Sequence, residues 1–139
     1  MKPNMLDDAL PRPPLVICDS DYDLIANLAL SIETRLPTLA RQLLDEIDRA
    51  EIVPVLELPQ NVVALGSEVE FEDESSGARR TVRLVTPGKA DIEQGRISIL
   101  TSVGAGLIGM AAGAQISWPR RDGTERKLRI VYVNRHPID

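Results

Sequence analysis

The chain has almost none of the residues that metal binding and covalent chemistry usually require. Its 139 residues include one cysteine, Cys18, and one histidine, His136. A single cysteine excludes an intramolecular disulfide and a cysteine-based zinc cluster, and a single histidine beside a proline is a poor metal ligand or general base. We therefore expect no catalytic residues, no bound metal and no cofactor. No cation adjoins Cys18 in the sequence, so we expect a buried, inert thiol.

Aromatic residues and long apolar runs are scarce as well. One Trp, two Tyr and one Phe are too few for a platform on which nucleic-acid bases stack. No apolar run is long enough for a signal peptide or a membrane span. We expect a cytoplasmic protein that binds no membrane and recognises no specific nucleic-acid sequence.

The net charge of -5 is unevenly distributed. Residues 1–65 hold 5 Lys/Arg against 11 Asp/Glu, and residues 66–139 hold 11 against 10. The acidic half favours a basic partner or cavity, although a solvated helical face is the simpler explanation. The basic residues of the second half form either a patch or a solvated sheet face: Arg79, Arg80, Arg120, Arg121, Arg126, Lys127 and Arg129.

The first third of the chain has the pattern of a helical hairpin. Residues 1–14 carry four prolines and predict a flexible leader. A first helix is expected over about 20–34, with Ser20 as its cap and with Leu24, Leu28 and Ile32 on its apolar face. Pro37 ends that helix and fits the first turn of a second one over about 37–51. The apolar face of the second helix is expected to contain Leu36, Ala40, Leu43, Ile47 and Ala50.

From Leu65 onward the apolar pattern changes to period two, which predicts strands. Asp122-Gly123 indicates a hairpin turn. Five short strands in about 70 residues favour an antiparallel sheet over alternating strand–helix units. The strands are expected over 67–73, 80–85, 96–101, 115–118 and 127–133, the last with Leu128, Ile130 and Tyr132 at alternate positions.

Gly104, Gly106 and Gly109 form a G-x-G-x-x-G motif after a predicted strand. A dinucleotide-binding motif requires a crossover helix of about ten residues or more before the next strand. The next predicted strand begins at residue 115, which leaves no room for that helix. We therefore expect a short helical turn over residues 105–110, whose glycines permit tight entry and exit.

Four segments that follow the predicted hairpin carry a family resemblance. They read L-G-S-E-V-E-F, V-T-P-G-K-A-D, G-R-I-S-I-L-T-S-V-G-A-G-L-I-G and G-A-Q-I-S-W-P. Together with the hairpin they resemble the bacterial Gre family of RNA polymerase secondary-channel factors, and within it the short-armed branch called regulators of nucleoside diphosphate kinase. The resemblance covers residues 15–133. Lys89, Ser102 and Gly106 depart from the family pattern, which has Glu, Pro and Ala there.

The resemblance implies an α+β fold in two parts. Residues 15–52 would form an antiparallel two-helix coiled-coil hairpin, and residues 53–139 an FKBP-like domain with a twisted antiparallel sheet and one short helix. In the family, that domain docks on polymerase and the hairpin points into the channel. The implied partner-binding residues are Glu33, Thr34, Arg35 and Leu36 at the tip, and Thr101, Ser102, Val103, Gly104, Gly106, Leu107 and Gly109 in the glycine segment.

The hairpin tip distinguishes between activities within the family. Members that stimulate transcript cleavage carry paired acids there, because a Mg²⁺ ion needs several converging carboxylate oxygens. This tip offers only Glu33, two residues from Arg35. The resemblance therefore implies a non-enzymatic regulator that binds core RNA polymerase and competes with Gre-type factors without stimulating cleavage. Two alternatives are regulation of nucleoside diphosphate kinase, by contact or through expression, and prolyl isomerase activity, which the scarcity of aromatics disfavours.

Overall fold

The computed structural model describes residues 14–119 and 125–135. In this part of the chain two helices precede a sheet, which confirms the predicted α+β class. None of its helices is long and apolar enough to cross a membrane. The helices are α1 (Asp19–Ser31), α2 (Pro37–Arg49) and α3 (Ser102–Leu107); the strands are β1 (Val16–Cys18), β2 (Glu51–Val53), β3 (Glu68–Asp73), β4 (Arg79–Val85), β5 (Arg96–Ser98), β6 (Gln115–Pro119) and β7 (Glu125–Asn134).

Short 3-10 helices at Val55–Glu57, Pro87–Lys89 and Ile92–Gln94 lie in the connections. Residues 1–13 of the predicted leader and the predicted Asp122-Gly123 turn lie outside the described residues.

The second helix begins where the sequence predicts and the first does not. Pro37 is the first residue of α2, where its missing N–H costs no hydrogen bond. The prediction of Ser20 as the cap of α1 is wrong, because the cap residue is Cys18 and makes no side-chain capping bond. Strand β1 runs directly into the helix, so Ser20 falls in the first turn. Its N–H donates to Oδ1 of Asp19 at 2.8 Å.

The buried face of α1 also differs from the prediction. The buried residues are Ile25, Ala29 and Ile32, whereas Leu24 is 41% exposed. The prediction is confirmed for Ile32, but Ile25 and Ala29 are buried in place of Leu24 and Leu28, and Leu28 is half-buried against the core. In this part of the helix the face is rotated by one residue, about 100°. The four-residue repeat of leucines satisfies the same pattern, so the sequence alone does not separate the two faces.

For α2 the prediction is confirmed for Ala40, Leu43 and Ile47, which are buried. It is wrong for Leu36, which is 44% exposed, and Ala50 is half-buried.

A parallel pair of three-residue strands joins the two ends of the hairpin, and the sequence did not predict it. Val16 lies beside Glu51, Ile17 beside Ile52 and Cys18 beside Val53. The helical hairpin between the strands supplies the long connection that parallel strands need. The start of α1 and the end of α2 are therefore held together by backbone hydrogen bonds.

The other five strands form one sheet in the order β5-β4-β3-β7-β6. Three of its four pairings are antiparallel, but β4 and β5 are parallel. The prediction of a wholly antiparallel sheet is therefore wrong at this edge. The connection from β4 to β5 contains two 3-10 helices, which give the chain enough length to return and run in the same direction.

A bulge in β7 reverses the predicted orientation of Tyr132. Ile130 pairs with Phe71 and Tyr132 pairs with Glu70, so Val131 is an extra residue between successive pairs. An extra residue shifts the alternation of side chains by one position. Tyr132 is accordingly 54% exposed, and Val133 is buried in its place.

The larger of two apolar clusters in the described residues joins the helices to the sheet, and the smaller contains Cys18, Leu58, Val62 and Ala64. The side chains of the larger cluster come from α1, α2, the sheet, the β1 segment and the end of α3. They include Leu15, Ile17, Ile25, Ala29, Leu43, Ile47, Val69, Phe71, Val82, Leu84, Leu107, Ile108, Leu128 and Ile130. The hairpin therefore packs along its inner face on the sheet and α3. Cys18 is buried, as predicted.

Gly109 lies just after α3, where β1 crosses the chain. Few other residues could adopt its conformation. Its φ is +77°, and a Cβ at this position would overlap the Leu15 side chain and press on Ile17. Gly77, in the turn between β3 and β4, has a φ of +76° with no atom within 4 Å of such a Cβ. These two glycines share a backbone conformation and differ in surroundings.

We expect Gly109→Ala to destabilise the protein by roughly 3 kcal/mol or more, because backbone strain and overpacking each contribute about 1–3 kcal/mol. Gly77→Ala is the matched control and should cost only about 1–2 kcal/mol, from the backbone alone. Urea unfolding measures both. Equal losses in the two variants would contradict the close packing of Leu15 on Gly109.

Candidate partner-binding surface

The tip of the hairpin is a tight, exposed turn over residues 32–36. Ile32 is buried and anchors it, and the Leu36 N–H donates to the Ile32 carbonyl at 2.7 Å. The four predicted tip residues are all exposed: Glu33, Thr34, Arg35 and Leu36. The structure thus brings one carboxylate, one hydroxyl, one guanidinium and one apolar side chain together at the end of the arm.

The arm is short because each of its helices has 13 residues, and α3 contacts the middle of α2. Nε2 of Gln42 donates to the Ser102 carbonyl at 3.4 Å. Leu36 precedes Gln42 by six residues, which is about 9 Å along a helix axis at 1.5 Å per residue. The tip therefore extends only about 9 Å beyond the start of α3.

The first residues of the glycine segment are at the surface. Thr101 caps α3, since its Oγ1 accepts a hydrogen bond from the Gly104 N–H at 3.0 Å and donates to the Ser98 carbonyl at 2.8 Å. Ser102 is exposed, and Thr101 and Val103 are half-buried. This cap fixes the direction in which Ser102 and Val103 face the solvent.

The later residues of the segment are buried. Gly104, Gly106, Leu107 and Gly109 have little or no exposed surface. A Cβ on Gly104 would overlap the Ser98 carbonyl oxygen. The prediction of a short helix between two strands is confirmed, although α3, Ser102–Leu107, begins and ends three residues before the predicted range of 105–110. These glycines permit close packing, and only Thr101, Ser102 and Val103 of the segment present surface to a partner.

We define the candidate surface as the exposed tip, Glu33 to Leu36, together with Ser102 and Val103. The first half of α2 connects the two parts, because it runs from the tip to Gln42, whose side chain contacts Ser102. The surface combines few charges with apolar atoms, since Leu36 is 44% exposed. Such a composition suits contact with a protein better than contact with a phosphate backbone.

The basic residues of the sheet that the structure describes are partly neutralised by acids of β3. Arg79 lies 3.6 Å from both Glu70 and Glu72, and Arg129 lies 3.1 Å from Glu72. These contacts favour the interpretation of a solvated, ion-paired sheet face over a basic patch. Arg120 and Arg121 lie outside the described residues.

Asp21 anchors α1 to the sheet, a role that the sequence analysis did not assign. Its Oδ2 accepts a hydrogen bond from the Leu65 N–H at 3.0 Å. Burial raises the pKa of the Asp21 carboxyl above its ordinary value of 3.8, while the Leu65 N–H, the Cys18 thiol and the charge of Arg135 oppose that shift. An acid in the first helical turn usually indicates only an interaction with the helix dipole, so no sequence signal revealed this contact.

In comparisons with known proteins, one family model matches each part of the chain. The model of the C-terminal domain of transcription elongation factors GreA/GreB matches residues 58–135, and a model named Rnk N-terminus matches residues 13–53. The tip falls in the second match, and Ser102 and Val103 fall in the first.

Individual proteins show the likeness over most of the chain. The regulator of nucleoside diphosphate kinase of Escherichia coli strain K12 is 31% identical over 126 residues, which are 91% of this chain and 93% of that protein. GreA of Azorhizobium caulinodans is 36% identical over 66% of this chain and 58% of its own length. A solved GreA/GreB structure from Nitrosomonas europaea superimposes with a TM-score of 0.72 at 34% identity, covering 86% of this chain and 98% of that one.

The raised pKa of Asp21 predicts a specific dependence of stability on pH. Because the folded state holds this proton more tightly than the unfolded state, its contribution is fully present below the ordinary pKa and is lost as the pH rises through the folded pKa. Between about pH 3 and pH 7, the wild type should lose stability relative to Asp21→Asn, whose amide oxygen still accepts from Leu65. Asp23→Asn, an exposed position on α1, controls for removal of one carboxylate. Urea unfolding measures the free energy of unfolding of each protein at each pH. If these free energies changed with pH in parallel for wild type and Asp21→Asn, the raised pKa of Asp21 would be contradicted.

Proposed function

The chain belongs to the GreA/GreB family of transcription elongation factors, and from this premise we propose that it is a cytoplasmic, non-enzymatic regulator that binds core RNA polymerase. It binds near the secondary channel and competes there with Gre-type factors, without stimulating transcript cleavage. In this proposal the hairpin acts as a short coiled-coil arm, and residues 53–139 act as an FKBP-like docking domain.

The observation that carries the proposal is the position of the tip relative to α3. A hydrogen bond from Gln42 to the Ser102 carbonyl links α2 to the start of α3. The exposed tip therefore lies about 9 Å along the helix axis from the residue that contacts Ser102. A protein that docks through Ser102 and Val103 would place Glu33 to Leu36 a short distance beyond the docking site. This arrangement suits occupation of a channel entrance.

The acids of the hairpin support an absence of cleavage stimulation. Glu33 is the one carboxylate of the tip, and Arg35 is two residues away. Within α2, Glu46 is buried and its Oε1 lies 3.1 Å from Nε of Arg49, so this acid is already engaged. Mg²⁺ prefers six oxygen ligands with one or two carboxylates converging from the protein. A single exposed carboxylate beside a cation binds that ion weakly.

Regulation of nucleoside diphosphate kinase is the second candidate function. It rests on the name of the Escherichia coli relative, the regulator of nucleoside diphosphate kinase, 93% of which is covered by the match. Direct contact would make the kinase co-purify with this protein, whereas an effect on expression would not. The relatives are named as regulators and elongation factors rather than as enzymes, which disfavours prolyl isomerase activity.

We expect the protein to displace a fluorescently labelled GreA from core RNA polymerase in a saturable way. Ser102→Arg should weaken this competition at least about tenfold, because a clash of about 1.4 kcal/mol at an interface is sufficient. Fluorescence anisotropy of the labelled factor measures the displacement.

Thr81→Arg is the matched control, since Thr81 is an exposed hydroxyl residue on β4 and should leave the competition unchanged. Failure of saturating wild-type protein to displace the label would overturn the proposal. Equal competition by wild type and folded Ser102→Arg would instead remove Ser102 from the contact.

Transcript cleavage provides a separate test. On a backtracked elongation complex, the protein should leave the rate of RNA cleavage at the level of polymerase alone, because Glu33 does not supply enough ligands for a second metal ion. Added to a GreA-stimulated reaction, it should lower the rate toward that level. A gel assay of the 3′ RNA fragments measures both. Stimulated cleavage by the purified protein would contradict the proposed activity.

A further inference from the structure

A groove of about 930 Å³ lies at the parallel edge of the sheet. Its walls include β4, β5, the 3-10 helix Pro87–Lys89 and the end of β7. Successive strand residues point to opposite faces, so Arg83 of the groove lies on the face away from Leu84. Leu84 packs near Gly104 of α3. The groove is therefore distinct from the candidate surface.

The groove is strongly basic in a protein whose net charge is -5. Four cations line it, Arg83, Lys89, Arg96 and Arg135, against one carboxylate, Asp91. In the described residues, the side chains of Lys89, Asp91 and Arg96 take part in no ion pair with one another or with any neighbour. Asp91 therefore neutralises neither Lys89 nor Arg96 by direct contact.

Two of these arginines are adjacent across paired strands. Arg83 and Arg96 are partners in the parallel register of β4 and β5. The backbone of Arg96 is fixed by two hydrogen bonds with Asp91, both 2.9 Å long. The parallel pairing therefore places Arg83 and Arg96 beside each other along the groove, with Glu68 opposite Arg83 on β3.

Arg135 closes the groove on the other side. Its Nη1 donates to the carbonyls of Leu58 and Pro59, the latter at 2.7 Å, which fixes the side chain in place. A positioned arginine loses less conformational entropy on binding a ligand than a mobile one. The site therefore combines fixed and exposed cations.

We propose that this groove binds a small phosphate-bearing molecule. Arginine presents a planar fork of donors that matches phosphate oxygens, and lysine adds a compact positive charge. The volume lies within the range of about 300–1,000 Å³ that is typical of small-molecule sites. Leu65, Val85 and Ala90 supply apolar wall beside the cations for the remainder of the ligand. This inference does not depend on polymerase binding.

Titration of the ¹⁵N-labelled full-length protein with sodium pyrophosphate and with ADP, at constant ionic strength, tests the proposal. We expect saturable chemical-shift changes at Gly88, Asp91 and Arg96, with a Kd below about 1 mM. Arg96→Gln should weaken both ligands roughly tenfold to a hundredfold, the range for a hydrogen bond to a charged group. Arg80→Gln is the matched control, because Arg80 is an exposed arginine of β4 outside the groove.

Absence of saturable changes would overturn the proposal, and so would equal affinities in Arg96→Gln and Arg80→Gln, which indicate non-specific charge screening. A hexaglutamate peptide that binds the groove more tightly than pyrophosphate would assign it to an acidic protein segment instead. A ten-nucleotide RNA that binds far more tightly than ADP would assign it to nucleic acid. Either result would contradict a small-molecule site.

Discussion

The turn at Ile108, Gly109 and Met110 is the constraint on which the rest of the structure depends. The carbonyl of Gly109 accepts from the Val16 N–H at 3.1 Å, and its N–H donates to the Val63 carbonyl at 2.8 Å. The Val63 N–H donates in turn to the Met110 carbonyl at 2.9 Å. Strand β1, the segment before the sheet and the end of α3 therefore meet at one buried point, which only a residue without a side chain fits.

This junction holds the short hairpin against the sheet. Two helices of 13 residues are marginal in isolation, because most helical stability in proteins comes from tertiary packing. Here Ala29, Leu43 and Ile47 are buried in the same core as the sheet, and Asp21 and Gln42 add polar contacts to it. These contacts hold the tip in a defined position beside α3, and the arm that carries it is short.

Local patterns in the sequence correctly predicted those structural features that depend on local interactions. Pro37 predicted the start of α2, alternation predicted the sheet strands, and the spacing from Gly109 to residue 115 predicted a short helix in place of a crossover. The features that sequence reasoning missed depend on distant pairing. The β1–β2 pair joins residues far apart in the chain, and the bulge that turns Tyr132 outward requires its partner strand. The neighbouring charges of Arg83 and Arg96 follow only from the parallel pairing of β4 with β5.

The central claim is that hairpin and sheet share one cooperative core, and native-state hydrogen exchange tests it most directly. Across a series of low urea concentrations, the amides of Ala29 and Leu43 should reach the same opening free energy and the same urea dependence as those of Val69 and Ile130. That result is expected if the helices open only when the whole molecule unfolds. A distinctly lower opening free energy for both helical amides, with a smaller urea dependence, would show that the hairpin unfolds by itself and would contradict the account.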